Sequence, residues 1–181
     1  MKILNYSILA FISLFMFSCQ PKLDEKVQLI NKIDTLEFQI YKSSVELLDE
    51  RKPNEVLSLY KNYANLYPED SISVVYLFKA AQVEVGLGLS LQAISTLDSL
   101  IMKYPNAENI PSALQFKAFI YDDRLGNINE ASKVLDVLIE NYPNSSLIEN
   151  AKAYKASLGK SPEEIIREME AKDKVVEEAA L

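Results

Sequence analysis

A regular internal repeat is the feature that most constrains how this chain can fold. The tripeptide aromatic-Lys-Ala occurs at residues 78–80, 116–118 and 154–156, so its copies are evenly spaced. Tyr-Pro pairs at 67–68, 104–105 and 142–143 follow the same period, except that the first interval is shorter by a single position. Repeats with periods of about 20–50 residues are single supersecondary units that bury their apolar faces against their neighbours. The sequence therefore predicts an array of about three full units and a half unit.

Each unit is predicted to contain two α-helices. The glycine between them (Gly88, Gly126) ends the first helix by allowing a left-handed residue, and the proline after each Tyr cannot continue the second. Capping boxes are predicted at residues 146–149 and 161–164. Apolar side chains share one helical face: Leu114, Ala118, Tyr121 and Leu125 in a first helix, and Ala93, Leu97, Leu100 and Tyr104 in a second. The prediction is an all-α array of antiparallel hairpins.

The second helix of each unit resembles that of the tetratricopeptide repeat (TPR). It carries a small residue (Ala93, Ala131), a large apolar residue four positions later (Leu97, Leu135) and a closing proline. The resemblance covers about residues 40–158. It implies an all-α, TPR-like α-α superhelix, a solenoid of about three helical hairpins over residues 26–160, with a C-terminal capping helix.

Both ends of the repeat domain are predicted to be helical. Over residues 26–49 an apolar stripe would pack on the next helix, at 53–67, or form a short coiled-coil seam. Residues 161–181 would form the capping helix, which hides the apolar edge of the solenoid and frays beyond about Asp173. The apolar residues on these faces are Leu29, Ile33, Leu36, Ile40 and Leu47, and Ile165, Ile166 and Met169.

The only cysteine, Cys19, follows a short apolar segment that begins with a single Lys. The segment is short for a membrane span and has the charge and length of a secretory signal peptide. With Met16 and Ser18 before the cysteine, it resembles the lipobox of bacterial lipoproteins. The resemblance implies a signal peptide at 1–18, lipidation of Cys19 and a tether at 19–25. An ordinary signal peptide cleaved elsewhere and an uncleaved anchor are the alternatives.

The residue after Cys19 is Gln20, whereas Asp at this position retains Gram-negative lipoproteins in the inner membrane. The expected location is therefore the outer membrane, with a lipid-anchored domain facing the periplasm. Asp24 and Glu25 are either part of a solvated tether or a surface-export signal. Long units with Tyr-Pro closures on a lipid anchor resemble the BamD-type lipoproteins of outer-membrane β-barrel assembly and the repeat domain of the Tol-Pal coordinator.

The composition argues against catalysis. The chain has no histidine and only four glycines, and Gly86-Leu87-Gly88 lacks the third glycine and the preceding strand of a phosphate-binding loop. Once Cys19 is lipidated, no thiolate is left as a nucleophile or a zinc ligand. The net charge of −7 disfavours nucleic acid as a partner. We expect no enzyme, no catalytic or metal residues, no cofactor besides the covalent lipid on Cys19, and no small-molecule substrate.

Three lysines recur in the first helices, Lys79, Lys117 and Lys155, and on a helical wheel Lys117 lies close to the middle of the apolar sector. A buried ammonium needs water or a partner, because leaving it unpaired costs several kcal/mol. These lysines either clamp acidic groups of a ligand along a groove or form a structural lysine ladder. In the structural interpretation, Lys79 pairs with Asp98 and Lys117 with Asp136, each within one unit.

If the TPR resemblance holds, partner peptides lie in a groove lined by the first helices. Phe119 is the informative candidate, since an aromatic side chain off the core face is either packed on the adjacent repeat or an exposed anchor. The candidate groove residues, chosen because they point away from the main apolar sector, are Leu77, Glu84, Gln115, Phe119, Asp122 and Asn150.

These patterns predict a membrane-anchored TPR-like scaffold that binds another cell-envelope protein, in outer-membrane protein assembly or envelope maintenance. A periplasmic chaperone that holds unfolded chains is the first alternative, and it requires a continuous exposed apolar groove. A cell-wall-remodelling enzyme is the second, and it requires paired carboxylates across a cleft.

Overall fold

The computed structural model describes residues 20–43 and 51–179, and every regular element in these ranges is helical. The predicted all-α, TPR-like fold is confirmed. The elements are α1 (Gln20–Ser43), α2 (Arg51–Leu66), α3 (Ser71–Gly86), α4 (Ser90–Lys103), α5 (Ile110–Phe119), a π-helical turn (Ile120–Arg124), α6 (Ile128–Asn141), α7 (Ile148–Ser157) and α8 (Pro162–Ala179). Cys19, the predicted signal peptide and Leu47 lie outside the described residues.

The chain divides into two compact units, one ending at Ser73 and the other beginning at Val74. In the first unit, α1 packs on α2, and the buried side chains at this contact include Ile33, Val56 and Tyr63. The apolar stripe of α1 therefore packs on the next helix, as the first of its two interpretations predicted. Helix α1 begins at Gln20, so residues 20–25, predicted to be a tether, are helical.

Polar contacts around Asp70 join α1 and α2 to the residue that precedes α3. Lys26 on α1 forms an ion pair with Asp70, which precedes α3. The Tyr63 hydroxyl donates to Asp70 Oδ2 at 2.7 Å, and the backbone N–H of Ile72 donates to Oδ1 at 3.0 Å. These contacts stabilise the carboxylate and lower the pKa of Asp70 to about 2, with the Lys26 hydrogen bond as the largest cause.

Because the pKa of Asp70 is lowered in the folded state, we expect the folded state to lose stability in acid. A carboxylate with a lowered folded-state pKa contributes stability above its unfolded pKa of 3.8, and the contribution is lost as the pH falls towards 2. At pH 6 we expect wild type to exceed Asp70→Asn in free energy of unfolding by about 1–2 kcal/mol, and the gap to close near pH 2. Urea unfolding followed by circular dichroism measures both proteins. A gap that stays constant from pH 6 to pH 2 would contradict the assignment.

The core of the second unit is made from apolar side chains of successive helices. The small and large residues that suggested the TPR pattern, Ala93, Leu97, Ala131 and Leu135, are all completely buried. Helix α6 lies between α5 and α7 and packs against both. Each second helix thus contributes its small residue and its leucine to the core, as expected from the sequence.

The turns within and between hairpins repeat from unit to unit. Gly88 and Gly126 have φ angles of 76° and 61°, in the left-handed region that the sequence predicted for them. After each Tyr-Pro pair the tyrosine carbonyl accepts a hydrogen bond from the third residue on, at 3.0 Å for Tyr104 and 2.9 Å for Tyr142. The regular spacing of the Tyr-Pro pairs in the sequence therefore corresponds to inter-repeat turns that share this backbone hydrogen bond.

Two nearby glycines allow a matched test of the left-handed turn. We expect Gly88→Ala to lower the free energy of unfolding by about 1 kcal/mol, because an L side chain at φ 76° is strained. Gly86, the last residue of α3, has open space around the position of an added Cβ and no positive φ. Gly86→Ala should be neutral or slightly stabilising. Urea unfolding midpoints of the two variants measure these changes. Equal shifts in the two midpoints would show that the positive φ at Gly88 is not the cause of the destabilisation.

The last part of the second unit confirms one capping box and not the other. At the start of α8, Ser161 N–H donates to Glu164 Oε2 at 2.8 Å, and Glu164 N–H donates to Ser161 Oγ at 3.2 Å. The box predicted at 146–149 is wrong, because Leu147 is the N-cap of α7 and no side chain caps that helix. Helix α8 extends to Ala179, through the segment predicted to fray. None of the described helices is long and apolar enough to cross a membrane.

Candidate functional site

The recurring lysines connect successive repeat units. Lys117 on α5 forms an ion pair with Asp98 on α4 at 2.5 Å, and Lys155 on α7 forms one with Asp136 on α6. Each lysine therefore reaches the aspartate 19 residues before it, half a repeat away. The structural interpretation of the ladder fits these contacts, but the predicted pairing is wrong, because Lys117 contacts Asp98 rather than Asp136. The second helix of one unit faces the first helix of the next, so its aspartate meets the later lysine.

A double-mutant cycle tests this pairing. We expect Asp98→Asn and Lys117→Met to be coupled by about 0.5 kcal/mol in unfolding free energy, because the pair is only partly buried. Methionine retains much of the apolar stem of the lysine. The cycle between Lys117→Met and Asp136→Asn serves as the control and should give no coupling. Larger coupling in the control cycle would support pairing of Lys117 with Asp136 within one helical repeat, and would contradict the structure.

Three aromatic rings line the first helices in the second unit. Phe78 on α3 and Phe116 on α5 meet edge to face, with ring centroids 5.8 Å apart. Phe116 stacks on Phe119 with centroids 6.0 Å apart, and the Arg124 guanidinium lies 5.8 Å from the Phe119 ring centre. Phe119 is partly exposed and packs on its own helix, while Phe116 makes the contact to the preceding repeat. Phe116, Phe119 and Arg124 are called the aromatic cluster below.

Asp122 has a structural partner in the next repeat. It lies in the π-helical turn after α5, and its Oδ2 accepts a hydrogen bond from the Tyr154 hydroxyl at 2.9 Å. Burial, followed by this hydrogen bond and the nearby charge, raises the pKa of Tyr154. Asp122 therefore joins α7 to the end of α5, at a position predicted to lie in the groove.

The other predicted groove residues differ in exposure. Leu77 and Glu84 lie off the main apolar sector of the helical wheel, yet they retain only 8 % and 1 % of their accessible surface, so the prediction that they line an open groove is wrong. A helical wheel assigns one buried face, whereas a helix inside a stack is buried on more than one. Gln115 is half-buried and Asn150 is exposed. Gln115 lies on α5 with Phe116 and Phe119, and Asn150 lies on α7.

A cleft that the sequence did not predict lies between two successive inter-repeat turns. Its volume is about 980 Å³, and it is lined by residues 105–109, 111, 112 and 141–147. The Tyr142 hydroxyl donates to the Pro105 carbonyl at 3.1 Å and ties the two turns together. The sequence signal for it is the tripeptide Tyr-Pro-Asn, which occurs at 104–106 and again at 142–144. The Tyr-Pro pairs indicate where the helices end, but the sequence alone does not show that two such turns face each other across a cleft.

The described residues contain no cluster of three or more His, Cys, Asp or Glu side chains that could hold a metal ion. Asp122 and Asp123 are adjacent, and each has its own contact: Asp122 with Tyr154 and Asp123 with Arg124, at 3.1 Å.

Comparison with known proteins supports the repeat assignment. A family model described as tetratricopeptide repeat matches residues 117–145. The match begins at Lys117 on α5, includes Phe119 and Arg124, and ends in the turn that lines the cleft. No curated protein matches the chain. The match supports a tetratricopeptide-repeat protein, and such repeats suggest a scaffold for protein–protein interaction.

Proposed function

We propose that this chain is a membrane-anchored, TPR-like scaffold that binds another cell-envelope protein, in outer-membrane protein assembly or envelope maintenance. The observation that carries the proposal is the aromatic cluster on the first helix of the unit matched by the tetratricopeptide model. Phe119 offers a partly exposed ring that is already held by two neighbours, so little conformational entropy is lost when a partner packs on it.

The chemistry of the cluster suits an interface anchor. Aromatic and arginine side chains dominate the energetics of protein interfaces. Arg124 lies over one part of the Phe119 ring and is exposed, so its guanidinium can also donate to a partner. Gln115, one helical turn before Phe119, adds an amide that donates and accepts hydrogen bonds.

Anchoring at Cys19 is supported by the preceding apolar segment and its resemblance to a lipobox. A tethered domain meets membrane proteins at a raised effective concentration, so a modest interface is sufficient for association. The outer-membrane location belongs to the same proposal and is supported by Gln20 after the cysteine. The periplasm-facing orientation is supported by the interpretation of Asp24 and Glu25 as part of a tether rather than as a surface-export signal.

Photo-crosslinking in cells tests the proposal. A photoreactive phenylalanine analogue is placed at Phe119 in the full chain, and the control carries it at Val137, an exposed position on α6. We expect one envelope protein to be captured from position 119 and not from 137. The identified partner should then bind purified Phe119→Ala at least tenfold more weakly than wild type.

The pattern of captured proteins separates the alternatives. Many different clients at position 119 would favour a chaperone and overturn the scaffold. Equal capture from positions 119 and 137 would show that the aromatic cluster has no special role. No captured protein at all would overturn binding at this helix.

A further inference from the structure

The cleft between the inter-repeat turns is lined by residues of two successive turns. Residues 105–109 form one wall and residues 141–147 the other, so two equivalent turns face one another. Tyr142 and Pro105 join the walls at one point, through the 3.1 Å hydrogen bond. Pro105, Pro111 and Pro143 restrict the backbone of both walls, because the proline ring fixes φ. The cleft is therefore a built feature of the repeat junction.

The polar groups of the cleft are almost all uncharged. Its amide and hydroxyl side chains both donate and accept hydrogen bonds. Glu108 is the only charged residue among the lining residues, and no lysine or arginine lines the cleft. The amide and hydroxyl side chains are those of Asn106, Asn109, Asn141, Asn144, Ser112, Ser145, Ser146 and Tyr142.

Asn109 contributes to the lining of the cleft, but its Oδ1 atom is buried and accepts no hydrogen bond from the described part of the chain. Because this oxygen is inaccessible, a ligand in the cleft would pair instead with exposed amides such as those of Asn106 and Asn144. The side chain of Asn109 lies directly before α5, the helix that carries the aromatic cluster.

We propose that this cleft binds an extended, uncharged peptide segment of the protein partner, through its main chain. An extended chain presents N–H and C=O groups along both edges, and side-chain amides can pair with both. The absence of a lysine or arginine in the lining disfavours an acidic peptide or a nucleic acid. A glycan ligand is also disfavoured, because the cleft is lined by a single aromatic side chain, that of Tyr142, and the hydroxyl of this tyrosine already donates to the Pro105 carbonyl. The inference rests on the proposed function, because it assumes a protein partner.

Peptide binding to the purified full chain tests the cleft. The probe is an array of immobilised 12-residue peptides of uncharged composition, and the best binder is then made with N-methyl groups on alternate backbone amides. We expect N-methylation to abolish binding. The double substitution Asn106→Ala and Asn144→Ala should weaken binding about tenfold, as expected for the loss of two hydrogen bonds. Asn129→Ala, on an exposed residue of α6 outside the cleft lining, is the matched control and should bind as wild type.

Several results would overturn the inference. They are equal binding of the N-methylated peptide, unchanged binding by the double variant, no peptide binder in the array, or binding of an N-acetylglucosamine oligomer instead. Phe119→Ala separates this test from the proposed function. If Phe119→Ala loses the crosslinked partner while the cleft variant keeps it, the scaffold stands and the cleft inference fails. If the cleft variant loses the peptide but no partner crosslinks at position 119, peptide binding in the cleft is supported and partner binding at the aromatic cluster is contradicted.

Discussion

Cys19→Ser is expected to move nearly all of the protein from the membrane fraction to the soluble fraction. The proposed lipid on Cys19 supplies acyl chains that each contribute about 0.8 kcal/mol per buried CH₂ group, and two chains are needed for stable anchoring. Fractionation of cells expressing the full chain, with metabolic labelling by a radioactive fatty acid, measures both location and lipidation.

The matched control is Ser18→Ala, which keeps a small residue before the cysteine. It should retain both the label and the membrane location. The helical circular dichroism spectrum of purified Cys19→Ser should equal that of wild type, and its binding to the crosslinked partner in solution should be unchanged. Membrane retention of Cys19→Ser, or an unlabelled wild-type protein, would contradict the lipoprotein hypothesis.

Leu135→Ala is expected to lower the free energy of unfolding by about 3 kcal/mol, because truncation of a buried leucine loses apolar burial and leaves a cavity. Leu135 on α6 is completely buried. Helix α6 packs against both α5 and α7, so the cavity weakens two helix contacts in the stack. Since folded domains are stable by only about 5–15 kcal/mol, a loss of this size shifts the urea midpoint clearly.

Val137→Ala on the same helix is the control. Val137 is 41 % exposed, and alanine is the better helix former, so we expect a change below about 0.5 kcal/mol in unfolding free energy. Urea unfolding by circular dichroism compares the two variants with wild type. Equal destabilisation by both substitutions would contradict the burial of the Leu135 face.

The hairpins could be predicted because their signals are local. The left-handed turns at Gly88 and Gly126 depend on residues a few positions away. The same holds for the capping box between Ser161 and Glu164. Burial of Ala93 and Leu97 followed from the helical period alone. Each of these features depends on residues within one helix or one turn. Residues that are close in the chain are also close in space there, so the sequence is sufficient to predict the contact.

The candidate surface was less predictable. The wheel placed Leu77 and Glu84 on an outer face, and both are buried, because their helix is covered on more sides than its apolar stripe indicates. Asp122 was a groove candidate, and its hydrogen bond to Tyr154 depends on a helix 32 residues later in the chain. The cleft arises from two turns that lie one full repeat apart in the chain, neither of which forms a site alone.

The lysine ladder shows which features the sequence determines and which depend on the tertiary structure. The sequence by itself determined the repeat, the helices, the turns and the need of Lys117 and Lys155 for acidic partners. Only the tertiary structure decided that those partners are Asp98 and Asp136 of the preceding units. The physical reason is that a second helix contacts first helices on two sides, and only the stacking of the units selects which lysine each aspartate meets.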